Sequence, residues 1–453
     1  MELPNYFLAD LADRSTLTPQ LITDACHTLK QNRLKFLATL STENIITILA
    51  KLGREWLDPD FFFRKMALEL GPSQTGFGTK TLADGLDRYF KQLTNESLES
   101  LVIQDLGSLT RLDEFTADNI ESRQDRSSIA RGPDLLVQIT GGVLPNPVIT
   151  SMILGLLARS AQFIKCATGT SFLPRMFAHS LYSAQPKLGA CLELAEWKGG
   201  TKDLEDALFA EAGCVTATGS NESLAEIRNR LPATIRFVGY GHKLSIAYIT
   251  RESLGKNGVE KIASALAEDV TAWNQLGCLS PHAVYVESDA EPDSHALAAA
   301  IANQLETREQ IDPRGEITPE NAAAISTRRM FYEVRAASDP DTQIWSSASS
   351  TAWTVVHENS PTFQPSCLNR FLYVKPVSSF EEFLATIEPL RGRISTVGLA
   401  APMARAQQIA LQLSNAGVTR ICRIGSMQNP PLTWRHDGRP GLAELITWTD
   451  LEF

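Results

Sequence analysis

Apolar and polar positions follow two alternating patterns between residue 135 and about residue 250. Short strand-like runs are separated by stretches with helical periodicity. Alternating strands and helices predict a parallel sheet with crossover helices, a doubly wound α/β domain that binds ligands at the carboxyl ends of its strands. The strand-like runs are Leu135–Thr140, Gln162–Cys166, Ala190–Trp197, Cys214–Thr218 and Thr234–Val238.

A second alternating set follows, with helices such as Pro319–Ser338 and strands such as His282–Glu287 and Phe371–Val377. The pattern before residue 110 is mostly helical, and Asp118–Arg131 is interpreted as a surface connection. We therefore predict an α/β protein with a helical amino-terminal region and two α/β domains. The first takes residues 1–248, with the tail 425–453 returning near it, and the second takes residues 249–424.

Composition narrows the class of protein. The chain has 453 residues, 43% of them hydrophobic and 21% charged, as in ordinary globular proteins. A formal net charge of -10 argues against a dedicated nucleic-acid binder. The seven cysteines form no CxxC pair, which favours reduced thiols in a cytoplasm, and the histidines form no zinc motif, so no metal site is expected. The uncharged stretch 135–158 is broken by glycines and prolines, so we expect no membrane span.

Cys278 is the first candidate for chemistry. It lies in the sequence Trp-Asn-Gln-Leu-Gly-Cys-Leu-Ser-Pro, between a long predicted helix and a predicted strand. A thiol that follows glycine and precedes Ser-Pro is expected on a turn, where it is accessible and has backbone N–H groups nearby, as a covalent nucleophile requires. The alternative is an ordinary buried cysteine.

Three further features lie where predicted strands end. Asn146, between two prolines, can aim its amide at a developing oxyanion, or it is a plain turn residue. Gly219 and Ser220 precede a helix and suit a pyrophosphate, although Ser223 with Glu226 also fits a capping box with nothing bound. Lys165 can reach ribose hydroxyls or a 2′-phosphate, or it is a solvated surface lysine.

The order of these features, Asn146, Lys165, Gly219-Ser220 and Cys278, resembles the aldehyde dehydrogenase superfamily, with similar spacing. Within that superfamily, three stretches are similar to the long-chain acyl-CoA (fatty acid) reductases of bacterial luminescence: 240–245, 273–281 and 436–440. The resemblance covers roughly residue 130 to the end. It implies a Rossmann-type cofactor domain in the first part and a catalytic domain carrying Cys278 in the second.

The resemblance implies reduction of a long-chain fatty acyl thioester, acyl-CoA or acyl-protein, to the fatty aldehyde with NADPH. Cys278 would form a thioacyl intermediate and Asn146 would hold the oxyanion, while Lys165, Gly219 and Ser220 would hold NADPH. Oxidative members carry a glutamate base where Gly239 stands here, so its absence favours reduction. An acyl-protein synthetase partner and a homo-oligomer are also implied.

Besides an acyltransferase that uses Cys278 without any nicotinamide, two other functions remain open. The first is a CoA-acylating aldehyde dehydrogenase for shorter acyl-CoA, which rates on short and long thioesters would separate from a long-chain reductase. The second is a non-catalytic docking partner of an acyl-activating enzyme. That function predicts an unreactive thiol at Cys278.

Overall fold

A computed structural model describes residues 3–11, 17–255, 258–288 and 291–453. The strands in these ranges are β1 (Arg126–Arg131), β2 (Leu135–Ile139), β3 (Ala161–Cys166), β4 (Leu192–Glu196), β5 (Cys214–Thr218), β6 (Arg236–Tyr240), β7 (Leu244–Ile249), β8 (Pro281–Glu287), β9 (Thr342–Ser346), β10 (Thr354–Glu358), β11 (Phe371–Val377), β12 (Ile394–Ala400), β13 (Arg420–Arg423) and β14 (Thr447–Glu452).

The α-helices in the same ranges are α1 (Pro19–Asn32), α2 (Thr42–Leu57), α3 (Phe62–Thr75), α4 (Thr79–Phe90), α5 (Asn95–Leu106), α6 (Asn119–Ser122), α7 (Pro145–Leu157), α8 (Phe172–Ala184), α9 (Pro186–Gly189), α10 (Lys202–Glu211), α11 (Asn221–Arg230), α12 (Gly258–Thr271), α13 (Glu291–Ile311), α14 (Pro319–Ser338), α15 (Phe380–Ile387) and α16 (Met403–Asn415).

The first of two compact units takes its residues from 1–75, 86–241 and 431–453. In its described part, β2 to β6 form a parallel sheet in the order β4-β3-β2-β5-β6. Apolar side chains on one face, such as Val137, Phe163 and Val215, pack against α1 and α10. The chain adds β3 and β4 on one side of β2 and then β5 and β6 on the other side, so the strand order reverses at β2. Doubly wound sheets bind ligands at the carboxyl ends of the strands beside such a reversal.

The interpretation of Asp118–Arg131 as a surface connection is wrong. This segment contains α6 and β1, and β1 pairs antiparallel with β14. Its polar composition hides the strand, because part of it lies in a buried polar network rather than an apolar core. Arg111 Nη1 donates to Glu121 Oε2 at 2.8 Å and to Ser128 Oγ at 2.5 Å.

The second unit takes its residues from 76–85 and 242–430. Its described strands form a sheet in the order β13-β12-β7-β8-β11-β10-β9, parallel except for the antiparallel pair β9 and β10. One face packs against α12 and α13, and the other face packs against α14, α15 and α16. This unit is therefore a second α/β layer structure with its own core.

The expected division at residues 248/249 falls inside β7, a strand that the sequence pattern did not predict. The units divide instead at 241/242 and 430/431, because β7 pairs with β8 and β12 in the second sheet. Residues 76–85, which include the first part of α4, also belong to the second unit.

In the described ranges, every helix is too short or too polar to cross a bilayer.

Candidate active site

The carboxyl edge of the five-stranded sheet in the first unit gathers the loops that follow β2, β3 and β5. The Thr140 N–H donates to the Lys165 carbonyl at 2.9 Å, which joins the ends of β2 and β3. Gly141 lies against the end of β5, because a Cβ on it would stand 2.5 Å from the Thr218 carbonyl oxygen. Asn146 at the start of α7, Lys165 near the end of β3 and the Gly219–Ser220 turn after β5 therefore lie at one edge of one sheet.

Asn146 is the second residue of α7, so its backbone is helical rather than part of a loop. Pro145 occupies the first helical position, where a proline loses no hydrogen bond. The Asn146 Oδ1 atom is buried and has no hydrogen-bond partner. A buried polar atom without a partner costs free energy, about 1–3 kcal/mol, and calls for an explanation such as a ligand.

Lys165 is only 3% exposed, so its interpretation as a solvated surface lysine does not hold. Burial lowers the pKa of its amine, and the carboxylate of Glu205 acts in the opposite direction. The amine lies over the Trp197 ring, 5.8 Å from its centroid, and it makes no hydrogen bond or ion pair with any described residue. Such an amine is a natural partner for an anionic ligand.

Gly219 and Ser220 form the turn between β5 and α11. The N-cap of α11 is Ser220, whose Oγ accepts the Ser223 N–H at 3.2 Å, so the expected capping box on Ser223 is wrong. The Gly219 N–H donates to the Tyr240 carbonyl at 3.2 Å, which fixes the turn against β6. The helix N-terminus beyond Ser220 carries a partial positive charge that suits a phosphate group.

Cys278 belongs to the second unit, on the turn before β8. Of the seven cysteines, all within the described ranges, it alone is exposed. Its carbonyl accepts the Ser245 hydroxyl of β7 at 2.7 Å, which fixes the turn on the sheet. The prediction of an exposed thiol on a turn matches this geometry, and the alternative of an ordinary buried cysteine does not.

The buried cysteines differ chemically from Cys278. Desolvation raises the pKa of the thiols of Cys26, Cys166, Cys191 and Cys214 to about 12. Since the thiolate is the nucleophile, these four side chains are poor candidates for covalent chemistry at neutral pH.

Sequence reasoning missed the positive charge beside the Cys278 turn. Arg420 is buried and donates to the carbonyls of Met427 at 2.6 Å and Ser426 at 2.9 Å. Burial lowers the pKa of its guanidinium, and Cys422, Asp269 and Cys278 act in the opposite direction. A cation that interacts with Cys278 favours its thiolate form. No local motif could have identified Arg420, because it is remote from Cys278 in the sequence.

Lys243, between β6 and β7, has a structural role. Its amine donates to the Gly392 carbonyl at 2.5 Å.

The described ranges contain no group of three or more histidine, cysteine or acidic side chains placed to hold a metal ion.

Solved structures of other proteins share this fold. The chain superposes on the bifunctional proline utilization A (PutA) protein with a TM-score of 0.74 and 15% identity, covering 97% of this chain and 45% of that longer one. A protein from Anabaena variabilis assigned as an aldehyde dehydrogenase, PutA, gives a TM-score of 0.71 and 15% identity, covering 96% of this chain and 93% of that one. The fold is therefore aldehyde dehydrogenase-like, as expected.

The family follows from the sequence comparisons. The model of the acyl-CoA reductase (LuxC) family matches residues 37–448, and the chain belongs to this family. The long-chain acyl-protein thioester reductase of Aliivibrio fischeri is 22% identical over 422 residues, covering 91% of this chain and 83% of the relative. The protein is thus an oxidoreductase that acts on acyl groups, and the expected resemblance is confirmed.

Proposed function

We propose that the protein reduces a long-chain fatty acyl thioester, acyl-CoA or acyl-protein, to the fatty aldehyde with NADPH, through a thioacyl intermediate on Cys278. The observation that carries this proposal is the contrast between Cys278, exposed on a turn anchored by Ser245, and the four buried thiols. Membership of the acyl-CoA reductase family and the name of the Aliivibrio fischeri relative support the reaction and the substrate class.

The first step is acyl transfer to Cys278. The Cys278 thiolate attacks the thioester carbonyl, a new carbon–sulfur bond forms, and the carbonyl oxygen becomes an oxyanion. When that intermediate collapses, the bond to the carrier sulfur breaks and the carrier leaves as a thiolate, which takes a proton from solvent. Cys278 then holds the acyl group as a thioester.

We assign the oxyanion to the Asn146 amide and the Cys278 backbone N–H. The amide nitrogen would be the donor, because no hydrogen bond to another described residue occupies it. The buried oxygen is an acceptor and does not itself stabilise an oxyanion. An oxyanion donor of this kind typically contributes about 3 kcal/mol to the transition state.

Lys165, Gly219 and Ser220 would hold NADPH. The fit rests on the buried, unpartnered amine of Lys165, which suits the 2′-phosphate, and on the helix N-terminus after Ser220, which suits the pyrophosphate. When bound, the dinucleotide supplies the hydride that reduces the acyl group. Cys278 retains the acyl group until then and leaves as a thiolate when the aldehyde departs.

Gly239 supports the reductive direction. It stands where the resemblance places a glutamate base in oxidative relatives, and its carbonyl accepts Arg439 Nη2 at 2.8 Å. A glycine cannot activate a water molecule, so hydrolysis of the thioacyl enzyme to an acid would be slow. The acyl group on Cys278 is thereby kept for reduction.

The proposal also includes a cytoplasmic location, a homo-oligomer and an acyl-protein synthetase as partner. The seven cysteines, none of which forms a disulfide in the described ranges, support the location. The name of the Aliivibrio fischeri relative, which acts on an acyl-protein, supports a protein acyl donor.

NADPH consumption with a series of acyl-CoA chain lengths tests the proposal. We expect the highest kcat/KM with long chains. A maximum with short chains would instead identify a CoA-acylating aldehyde dehydrogenase. Absence of NADPH consumption, together with a Cys278 thiol that acyl-CoA does not consume, would identify a non-catalytic docking partner.

A further inference from the structure

Two segments of the second unit adopt the left-handed backbone conformation without any glycine. Trp273, Asn274 and Gln275 have φ of 51°, 52° and 64°, and they lie just before Cys278. A second such triplet lies just before β11, with φ of 59°, 56° and 67° at Leu368, Asn369 and Arg370. Left-handed backbone is unfavourable for bulky side chains and persists only when surrounding contacts hold it.

The two triplets hold each other through side chains. Arg370 Nε donates to Asn274 Oδ1 at 3.0 Å. The Gln275 amide donates to the Phe371 carbonyl and accepts the Phe371 N–H, both at 2.8 Å. Neither left-handed segment is therefore an independent turn.

The first triplet is also tied directly to the turn that carries Cys278. Gln275 Nε2 donates to the Pro281 carbonyl at 2.8 Å, which bridges the two ends of that turn. The Ser280 N–H donates to the Gly277 carbonyl at 3.0 Å inside it. The position of the Cys278 sulfur thus depends on the backbone of residues 273–275.

Arg370 connects the two left-handed segments to further buried groups of the second unit. Its side chain is fully buried, and Nη1 donates to Glu309 Oε2 and to the Asp312 carbonyl, both at 2.9 Å. Asn274 Nδ2 donates to the Arg314 carbonyl at 2.6 Å. A planar guanidinium can reach Asn274 and these acceptors at once, whereas a lysine ammonium cannot.

We propose that Asn274 and Arg370 are positioning residues for Cys278: their hydrogen bond holds the left-handed segment 273–275, and this segment sets the attack geometry of the thiol. The inference rests on the proposed role of Cys278 as the nucleophile. The two side chains act through the backbone and the turn, and they take no part in binding the dinucleotide.

The test compares Asn274→Ala, Asn274→Asp and Arg370→Lys with the unaltered protein. The aspartate retains an acceptor for Arg370 and tolerates left-handed backbone, but it loses the donor to the Arg314 carbonyl, so it serves as a partial rescue. Arg329→Lys is the matched control, because Arg329 is also a buried arginine of the second unit, with Nε donating to Thr354 Oγ1 at 2.8 Å. The readouts are the iodoacetamide alkylation rate of Cys278, kcat and KM for acyl-CoA, and the Kd of NADPH.

We expect Asn274→Ala and Arg370→Lys to lower kcat about 10- to 100-fold and to change the Cys278 alkylation rate, with the Kd of NADPH unchanged. The fold-loss of kcat in the double variant should be smaller than the product of the two single losses, since both changes remove the bond between these two residues. Asn274→Asp should retain more of kcat and a more nearly unaltered alkylation rate than Asn274→Ala, and Arg329→Lys should lower only the melting temperature.

Alkylation rates and kcat in Asn274→Ala equal to those of the unaltered protein would overturn the inference, even if the melting temperature falls. If Arg370→Lys does not fold, the comparison of Asn274→Ala with Asn274→Asp alone tests the positioning role. Full turnover in Cys278→Ala would instead overturn the proposed function. Loss of turnover in that variant, with unaltered alkylation in Asn274→Ala, would reject only the positioning role.

Discussion

Gly141 and Thr218 press two loops of the first unit together, since a Cβ on Gly141 would stand 2.5 Å from the Thr218 carbonyl oxygen. One loop leads to Asn146 and the other to the Gly219–Ser220 turn. We expect Gly141→Ala to push these loops apart. The free energy of unfolding should fall by about 1–3 kcal/mol, and NADPH should bind more weakly.

Gly142→Ala is the matched control for that prediction. Gly142 has φ of +83°, but a Cβ there would meet no atom within 4 Å. The cost should be the left-handed backbone alone, about 1 kcal/mol, with NADPH affinity retained. Equal NADPH affinities in both variants, measured by fluorescence titration, would contradict the packing argument.

Replacing Asn146 by aspartate tests the oxyanion assignment. The change keeps the shape but removes the amide donor, and an acid in the first turn of α7 is favourable for the helix. We expect kcat for acyl-CoA reduction to fall about 100- to 1,000-fold while the protein stays folded. A decrease of less than about threefold would place the oxyanion elsewhere.

Lys165→Met tests the recognition of the 2′-phosphate. The amine is buried without an ion pair, so an apolar side chain of similar length should not destabilise the unit. We expect KM for NADPH to rise about 10- to 100-fold and KM for NADH to stay unchanged, because only the former carries the extra phosphate. Lys187→Met, which removes an exposed amine near Phe36, is the control. A parallel rise of both KM values would argue against a 2′-phosphate contact.

Because the imidazole of His282, at the start of β8, is buried, we expect the free energy of unfolding to depend on pH. Burial lowers the pKa of its imidazole to about 4, and the charge of His242 adds to this. The unfolded chain therefore binds a proton more readily than the folded chain between pH 6.5 and 4, so stability falls as the pH falls through this range. The loss between pH 7 and pH 5 should be about 2 kcal/mol from this group.

His282→Asn retains an acceptor for the Ser366 N–H, which donates to His282 Nδ1 at 3.1 Å. Urea unfolding at both pH values should show a pH-dependent loss about 2 kcal/mol smaller in this variant. The same loss in both proteins would show that His282 does not titrate in this way.

The sequence predicts those parts of the fold that depend on local apolar patterns. The strands Cys214–Thr218 and Phe371–Val377 and the helix Pro319–Ser338 have the predicted bounds. The sequence pattern did not predict β1, because Ser128 and Arg131 make this strand polar. Its partner strand β14 lies more than 300 residues further along the chain.

The candidate site is predictable where its residues follow strands, and less so elsewhere. Asn146 and Ser220 follow strands of one sheet and Lys165 lies near the end of another of its strands, so order and spacing predict them as candidates. The left-handed segments at 273–275 and 368–370 contain no glycine to mark them. They exist because Asn274 and Arg370 meet across the fold, which local sequence does not encode.

The most direct test of the account is acyl labelling of Cys278. The protein is incubated with long-chain acyl-CoA without NADPH, and the peptide containing Cys278 is analysed by mass spectrometry. We predict one acyl group on Cys278 that NADPH then releases as aldehyde, and no labelling or turnover in Cys278→Ala. Acyl groups on another residue, or full turnover in Cys278→Ala, would contradict the account.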